Sequence, residues 1–230
     1  MKFDTMKLPG GPPSFTGEFY SPSGTVSTGL VVLVYGTDGF VDNERGPWKT
    51  MLRGYAEELV TRGFFALIPD YFAKTGSKPG GAAANEIAAK RDSWSAALVD
   101  TVTHARTLDG VDSSRIGMLG FSLGGHLCLH ARAAAKPKVL VEYFAPILDG
   151  IGARGSVPHV QIHHGTKDEL PATSFSNAGV VEGILKLEGP DVTLFPYIDA
   201  THGFAGPDAA NTSAATLSKT RTIAFFGRCL

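Results

Sequence analysis

The stretch Gly120-Phe121-Ser122-Leu123-Gly124-Gly125 constrains the fold of this chain more than any other part of the sequence. It follows a short apolar run at 115–119, typical of a buried strand, and precedes 123–135, an Ala- and Leu-rich run without Pro that is typical of a helix. A Ser on a tight strand-to-helix turn, with Gly two residues to either side, presents its hydroxyl above the edge of a sheet. The helix N-terminus then directs free N–H groups at an oxyanion formed there. Ser122 is therefore a candidate nucleophile; the alternative is an ordinary helix N-cap serine.

Strands and helices alternate from residue 30 onward, which predicts an α/β fold with a mainly parallel central sheet between helices. We expect strands at 30–35, 64–69, 115–119, 138–144, 159–164 and 192–197, and helices at 47–59, 83–108, 123–135, 171–187 and 208–226. Residues 1–16 are rich in Pro and Gly and are predicted to form an N-terminal arm or loop. Segments 17–20 and 29–35 bracket a turn at 21–24, which predicts a hairpin or strand pair.

Length and composition favour one globular α/β domain over residues 1–230, since 43% of the residues are hydrophobic and 19% are charged. A net charge of -1 gives no reason to expect a nucleic-acid or anionic-membrane partner. The chain starts without the apolar core of a signal peptide, and its apolar stretches are of strand length. Two cysteines make no disulfide framework, so we expect a cytoplasmic protein.

Three candidate catalytic groups follow separate predicted strands in the chain order Ser122, Asp168, His202. In a parallel sheet, the loops at the carboxyl ends of the strands meet at one edge. A serine hydroxyl needs a base, which His202 would supply, and Asp168 would fix the tautomer of that imidazole. For the oxyanion we expect the backbone N–H of Leu123 and a second one from the loop after the first apolar strand. Gly39 is the preferred second donor, with Thr37 as its rival.

Other acids and histidines compete for these roles. Asp70 and Asp149 also follow predicted strands and are alternatives to Asp168. His163 and His164 lie within a predicted strand, where packing or loop-orienting roles are favoured over catalysis. His126 and His130 are four residues apart on a predicted helix, the spacing of two metal ligands. The sequence supplies no Glu of a His-Glu-x-x-His motif there, so a structural role is favoured and no metal is expected.

Four segments give the chain its resemblance to the dienelactone hydrolase family of α/β-hydrolases: 62–70, 116–125, His164-Gly165-Thr166-Lys167-Asp168 and His202-Gly203-Phe204. The resemblance runs from residue 30 to residue 226. It implies an α/β-hydrolase fold without a large lid domain, acting on small esters or lactones with no metal or cofactor.

The sequence departs from the family pattern at two places. Well-known members carry Cys where this chain has Ser122, with a Glu beside that thiol for which Asp38 is the nearest match. The family also uses an arginine just after the His-x-Phe segment to hold a substrate carboxylate, and Gly206 stands there in this chain. Lys74, Arg91 and Lys167 are the nearest cations that could compensate, but all three lie in or beside polar stretches typical of solvated surface charges. We therefore expect a neutral or differently charged small ester in place of dienelactone.

The leading hypothesis is a serine carboxylic-ester hydrolase acting through an acyl-enzyme intermediate. A non-catalytic ligand-binding protein of the same fold is one alternative, and acyl transfer or peptide cleavage by the same triad is another. A small-molecule ester or lactone is the expected partner, and the oligomeric state stays open. Possible substrate contacts are Thr37, Asp38, Tyr71, Phe72 and Trp94; Trp48 and Phe144 are further aromatic candidates for the pocket.

Overall fold

The computed structural model describes residues 2–9, 14–24, 27–155, 157–189 and 191–230. Its strands are β1 (Lys2–Leu8), β2 (Phe15–Ser21), β3 (Thr28–Val34), β4 (Asp42–Asn43), β5 (Gly46–Pro47), β6 (Phe65–Pro69), β7 (Val111–Phe121), β8 (Val139–Tyr143), β9 (His159–Gly165) and β10 (Asp191–Tyr197). Its helices are α1 (Trp48–Thr61), α2 (Gly81–Ala105), α3 (Leu123–Ala135), α4 (Phe175–Glu188) and α5 (Ala209–Cys229). Two short 3-10 turns cover Tyr71–Lys74 and His202–Phe204.

Eight of the strands form one sheet in the order β1-β2-β6-β3-β7-β8-β9-β10. The pairs from β6 to β10 are all parallel, whereas β1 pairs antiparallel with β2 and β2 antiparallel with β6. The five helices flank this sheet, which is the α/β-hydrolase fold without a large lid domain. The predicted fold class is confirmed.

Apolar side chains on the central strands form the core. Strand β3 is buried from Gly29 to Val34, and β8 is buried throughout, as expected of strands covered by helices on both faces. Helix α3 has the bounds that the sequence predicted, and the other helices begin and end within a few residues of expectation. Helix α4 begins four residues later than predicted, at Phe175.

Two predictions about the beginning of the chain are wrong. Residues Lys2–Leu8 are an edge strand and not part of an arm, because each of them pairs with a residue of β2. Strands β2 and β3 do not pair with each other, since β6 lies between them in the sheet. Apolar runs show that strands are buried, but they do not specify which strands are neighbours.

The carboxyl ends of β3, β7 and β9 open at one edge of the sheet, and the loop after β10 reaches the same edge. Among the described helices, none is long and apolar enough to cross a membrane.

Candidate active site

Ser122 occupies the turn between β7 and α3 with φ 52° and ψ −119°, in a backbone region that non-glycine residues rarely adopt. Its N–H donates a hydrogen bond to Tyr143 O at 2.9 Å, which ties the turn to β8. A Cβ on Gly124 would lie 2.2 Å from Val34 O, and one on Gly120 would lie 2.3 Å from Gly124 O. The glycine spacing found in the sequence is therefore a steric requirement of this turn.

His202 connects Ser122 to Asp168. Its Nε2 lies 3.1 Å from Ser122 Oγ, and its Nδ1 lies 2.7 Å from Asp168 Oδ2. A neutral imidazole with the proton on Nδ1 donates to the carboxylate and leaves the Nε2 lone pair facing the hydroxyl. The three side chains thus have the geometry of a nucleophile, a base and an acid that orients the base.

The carboxylate of Asp168 is buried and fully hydrogen-bonded. Its Oδ1 accepts from Thr173 Oγ1 at 2.8 Å and from Leu170 N at 3.3 Å, and its Oδ2 faces His164 Nε2 at 3.2 Å as well as His202. Burial raises the pKa of Asp168, but hydrogen bonds from the two histidines and from Thr173 outweigh burial and hold its pKa well below the usual range. The group is therefore an anion beside the imidazole at neutral pH.

The loop that carries His202 is held at both ends by α5. Thr201 N donates to Asn211 Oδ1 at 2.9 Å, and Asn211 Nδ2 donates to Ala205 O at 2.7 Å. The ring of Phe144 packs edge-on against the imidazole, with centroids 4.7 Å apart. These contacts restrict the imidazole to the orientation in which both of its nitrogens are engaged.

The competing aspartates lie elsewhere. Asp70 accepts a hydrogen bond from Tyr35 Oη at 2.8 Å, and Asp149 is paired with Arg91 at the protein surface. Neither carboxylate contacts His202, whereas Asp168 does. The geometry thus favours Asp168 as the acid.

The adjacent histidines in β9 have separate surroundings. His163 is buried, with Tyr197 Oη 2.8 Å from its Nδ1, and burial lowers its pKa to about 3, so it is a neutral packing group. His164 points to the other side of the strand, where its Nε2 lies 2.6 Å from Thr173 O and 3.2 Å from Asp168 Oδ2. The loop-orienting role predicted from the sequence therefore falls to His164.

Backbone donors for an oxyanion come from the turn between β7 and α3 that carries Ser122, hereafter the elbow, and from the loop after β3. Leu123 N begins α3, where helical N–H groups have no intrahelical acceptor. Gly39 N is already used, since it donates to Gly36 O at 3.0 Å, so the preference for Gly39 is corrected. Thr37 is the better candidate, because it follows Gly36, where an added Cβ would lie 3.2 Å from Ser122 Cβ and 3.8 Å from Ser122 Oγ.

A cavity of about 530 Å³ opens next to Ser122 and His202. Its walls are mainly apolar and come from α1, α2 and the loops after β8 and β9. The chief side chains that form these walls are Trp48, Met51, Ile87, Phe144, Leu148 and Leu170. Leu148 and Leu170 are 44% and 51% exposed, which places them at the mouth of the cavity. Such a cavity suits a small apolar ligand with one polar reacting group.

Three predicted substrate contacts do not reach this cavity. Tyr71 and Trp94 are fully buried and Phe72 nearly so. Tyr71 stacks on Tyr35 with ring centroids 4.3 Å apart, and the Trp94 indole donates to Thr75 Oγ1 at 2.7 Å. Their hydroxyl and indole groups find partners inside the core, so these aromatic residues belong to the core and not to the pocket.

Thr37 and Asp38 do line the cavity, and so does Arg45, which was not among the residues predicted for the site. Arg45 Nη1 donates to Asp38 Oδ1 at 2.9 Å, and Trp48 Nε1 donates to Asp38 Oδ2 at 3.1 Å. The two opposite charges cancel at the pocket wall. The residues around Arg45 do not distinguish it from a surface arginine. Its place in the segment that follows the carboxyl end of β3 is the one feature of the sequence that could have indicated a role at the site.

Comparison with known proteins identifies the family. The family model described as "Dienelactone hydrolase family" matches residues 40–230. A protein from Rhodococcus opacus named carboxymethylenebutenolidase is 30% identical over 197 residues, covering 77% of this chain and 75% of the relative. The chain belongs to the dienelactone hydrolase family. As a member, it is a carboxylic-ester hydrolase.

Solved structures agree with this dienelactone hydrolase fold. A dienelactone hydrolase-like promiscuous phosphotriesterase from metagenomic libraries superimposes with a TM-score of 0.80 at 20% identity, covering 99% of this chain and 98% of the other. Esterase 2 from Thermogutta terrifontis, with propionate bound, gives a TM-score of 0.70 at 17% identity, with 97% and 94% covered. At these identities the similarity establishes the fold.

The family resemblance implied an arginine at the position where this member of the dienelactone hydrolase family has Gly206. Gly206 has φ 117°, a conformation that side chains rarely adopt, and it is not among the residues that line the cavity. Lys167 is paired with Asp199 at the surface, 2.9 Å away. Neither it, Lys74 nor Arg91 lines the cavity. Among the described residues that line the pocket, Arg45 is thus the one Lys or Arg, and Asp38 already neutralises it.

Proposed function

We propose that this dienelactone hydrolase family member hydrolyses small, neutral carboxylic esters or lactones through an acyl-enzyme intermediate on Ser122. The observation that carries the proposal is the continuous hydrogen-bonded chain from Ser122 Oγ through the His202 imidazole to the Asp168 carboxylate. A protein that only binds a ligand has no need of a strained serine joined to a base that is itself oriented by a buried carboxylate.

Acylation would begin when His202 Nε2 accepts the proton of Ser122 Oγ as that oxygen bonds to the ester carbonyl carbon. The carbonyl oxygen becomes an oxyanion, which the N–H groups of Leu123 and Thr37 would stabilise together with the N-terminal dipole of α3. The imidazolium that forms is stabilised by the Asp168 anion. When the carbon–oxygen bond to the alcohol breaks, the imidazolium returns its proton to the departing alkoxide.

Deacylation repeats these steps with water as the nucleophile. His202 removes a proton from the water as its oxygen bonds to the acyl carbon, and the second tetrahedral intermediate then expels Ser122 Oγ. The imidazolium protonates that oxygen, which releases the carboxylic acid and restores the enzyme. No part of this cycle requires a group beyond the residues named.

Pocket charge supports a neutral substrate. The name of the Rhodococcus opacus relative describes a substrate with a carboxymethylene group. In this chain the one cation among the described lining residues, Arg45, is held by Asp38 at 2.9 Å. A substrate carboxylate would have to compete with Asp38 for the guanidinium, and an unpaired carboxylate against apolar walls is costly. Apolar acyl or alcohol groups fit the cavity instead.

The proposal is tested by comparing wild type with Ser122→Ala on p-nitrophenyl esters of short acids. Wild type should give a burst of p-nitrophenol and form one covalent adduct with a fluorophosphonate, located on Ser122 by mass spectrometry. Ser122→Ala should lose the burst and about 10³-fold or more in kcat. Turnover at the wild-type rate by Ser122→Ala would refute the mechanism.

A matched pair of variants tests the acid. Asp168→Asn keeps the shape of the side chain but mis-sets the imidazole tautomer, so kcat should fall by several orders of magnitude, up to about 10⁴. Asp191→Asn makes the same chemical change at an exposed site beside His159 and should leave kcat unchanged. Equal activity of the two variants would contradict the assignment of Asp168.

A further inference from the structure

A second polar cluster lies beside the helix that follows the elbow, away from the reacting groups. His126 and His130 are one turn apart on α3, and the loop after β8 brings Asp149 to them. One ring nitrogen of each histidine and one carboxylate oxygen of Asp149 lie within 4.8 Å of one another. The fold brings Asp149, which is nineteen positions further along the chain than His130, next to the histidine pair already noted in the sequence.

The tautomer of His126 is set by the same loop. Its Nδ1 lies 2.9 Å from Pro146 O, and since a carbonyl only accepts, the ring proton is on Nδ1. Nε2 is then a lone pair, and it is buried without a hydrogen-bond partner. A histidine whose other nitrogen donates to a backbone carbonyl is the arrangement found at metal-ligating histidines. An unpartnered buried acceptor otherwise costs folding free energy.

Both imidazoles are neutral, as metal ligation requires. Burial, followed by the proximity of His130, lowers the pKa of His126 to about 4. Burial and the nearby Arg91 lower the pKa of His130 as well. His130 Nε2 lies 3.4 Å from Gly150 O, so the ring proton is on Nε2 and the lone pair of this imidazole is on Nδ1.

The carboxylate of Asp149 carries its own supporting contact. Arg91 Nη1 is hydrogen-bonded to Asp149 Oδ1, which leaves Oδ2 for a metal. Ligating carboxylates are commonly hydrogen-bonded in this way by a neighbouring group. Asp92 also pairs with Arg91, at 3.4 Å, so the two aspartates outweigh the single arginine charge. The net charge of this group before a metal binds is negative.

We propose that His126, His130 and Asp149 form a binding site for a divalent transition-metal ion of the Zn²⁺ class. Two imidazoles and one carboxylate are a ligand set that suits Zn²⁺, with water completing the coordination. Metal–ligand distances of about 2.0–2.2 Å imply ligand atoms about 3.3–3.6 Å apart in a tetrahedral site. The candidate ligand atoms lie within 4.8 Å of one another, so they must approach slightly for a metal to bind. The side chain of Asp149 is 61% exposed, and its rotation would bring the carboxylate oxygen to the required distance.

The metal would fasten a wall of the substrate pocket to the elbow helix. Pro146 and Leu148 line the cavity beside Ser122, and both lie in the loop between β8 and β9 that also carries Asp149. His126 already contacts this loop through Pro146 O. His130 and Arg132 also contact this loop, at Gly150 O and Ile151 O, so a bound ion would add a further connection at Asp149 and stabilise the folded state by linkage.

The test uses protein without a histidine tag, stripped with a chelator and titrated with Co²⁺ and then Zn²⁺. Wild type should bind one Co²⁺ per chain with the intense visible absorption of a four- or five-coordinate site, and Zn²⁺ should raise Tm. His130→Gln and Asp149→Asn, chosen because both residues are outside the fully buried core, should each weaken binding by more than about tenfold and abolish the rise in Tm. Circular dichroism verifies that each variant is folded.

His159→Gln is the matched control, since His159 also faces an aspartate, with Nδ1 3.8 Å from Asp191 Oδ2. It should bind Co²⁺ as wild type does. Wild type without the Co²⁺ spectrum would overturn the proposal, and so would a spectrum that either ligand variant retains or that His159→Gln loses. These readouts do not depend on ester hydrolysis, so the metal site and the proposed function can fail separately.

Discussion

His164 Nε2 lies 3.2 Å from Asp168 Oδ2, the oxygen that also receives the His202 hydrogen bond at 2.7 Å. The same nitrogen is 2.6 Å from Thr173 O, so a single N–H is shared between a carbonyl and a carboxylate. Asp168 Oδ2 is thereby held by two imidazoles, of which His202 also reaches Ser122. Since His164 contacts neither the cavity nor Ser122, we regard it as a positioning residue.

Removing that donor should lower the rate without preventing folding. A hydrogen bond to a charged group contributes about 1.5–3 kcal/mol, so His164→Leu should lose about ten- to a hundredfold in kcat while KM changes little. His164→Gln places an amide N–H at a similar reach and should recover most of the loss. Steady-state kinetics on one neutral ester measures both. Equal loss in the two variants would show that packing, and not the donor, matters at this position.

Freeing Arg45 should change the charge preference of the pocket. In Asp38→Asn the guanidinium loses its anionic partner, so kcat/KM for a carboxylate-bearing ester should rise relative to its neutral analogue. The gain should be up to about tenfold, because Arg45 is 58% exposed and water screens the pair. The double variant Asp38→Asn/Arg45→Gln should lose this gain. A ratio that stays high in the double variant would mean that another cation binds the carboxylate.

Glycine at position 124 should be indispensable for the elbow. A methyl group there would lie 2.2 Å from Val34 O, so Gly124→Ala must push α3 away from β3. We expect a loss of about 1–3 kcal/mol or more in the free energy of unfolding, together with a large loss of activity. Gly179→Ala is the control: it lies within α4 with open space around it and should gain about 0.5–1 kcal/mol. Urea denaturation measures both changes, and a neutral Gly124→Ala would contradict this account of the turn.

Glu142 should make stability fall as pH rises. Burial raises its pKa to about 7, and its Oε1 is buried without a partner. Between the ordinary value of 4.5 and about 7, the folded state holds a proton that the unfolded state has lost, so this group lowers the free energy of unfolding by about 3 kcal/mol across that range.

Glu142→Gln should remove this dependence, because an amide does not titrate in this pH range. The variant should still fold, since the amide oxygen can accept from Ala145 N. The variant should therefore gain stability relative to wild type on going from pH 4.5 to 8, as measured by urea denaturation at each pH. Glu57→Gln, at an exposed site, controls for the loss of a carboxyl group. A difference between wild type and Glu142→Gln that stays constant with pH would contradict the raised pKa.

The order of the elements could be predicted because each leaves a local signal. Residues 123–135 combine strong helix formers with a glycine turn before them and Lys136-Pro137 after them, so the limits of α3 follow from the sequence. Ser122, Asp168 and His202 could be expected to lie together, because parallel strands bring their carboxyl ends to one edge of the sheet.

Strand neighbours and pocket walls could not be predicted, because they depend on distant parts of the chain. Strand β1 exists through its pairing with β2, and Pro and Gly nearby suggested a loop instead. Trp48 and Trp94 are chemically identical, yet one lines the cavity and the other is in the core. The Gly39 N–H was misassigned because the turn that uses it is visible only in three dimensions.

Leu148 and Leu170 lie at the cavity mouth, and Leu170, which shares a loop with Asp168, contacts that carboxylate through its backbone N–H and not through its side chain. Exposed side chains of this kind can usually be exchanged within about 0.5 kcal/mol of stability. Randomising these two positions should therefore yield libraries in which chain-length selectivity varies while the reaction itself is inherited unchanged. Substrate selectivity can therefore be engineered at the cavity mouth without changing Ser122, Asp168 or His202.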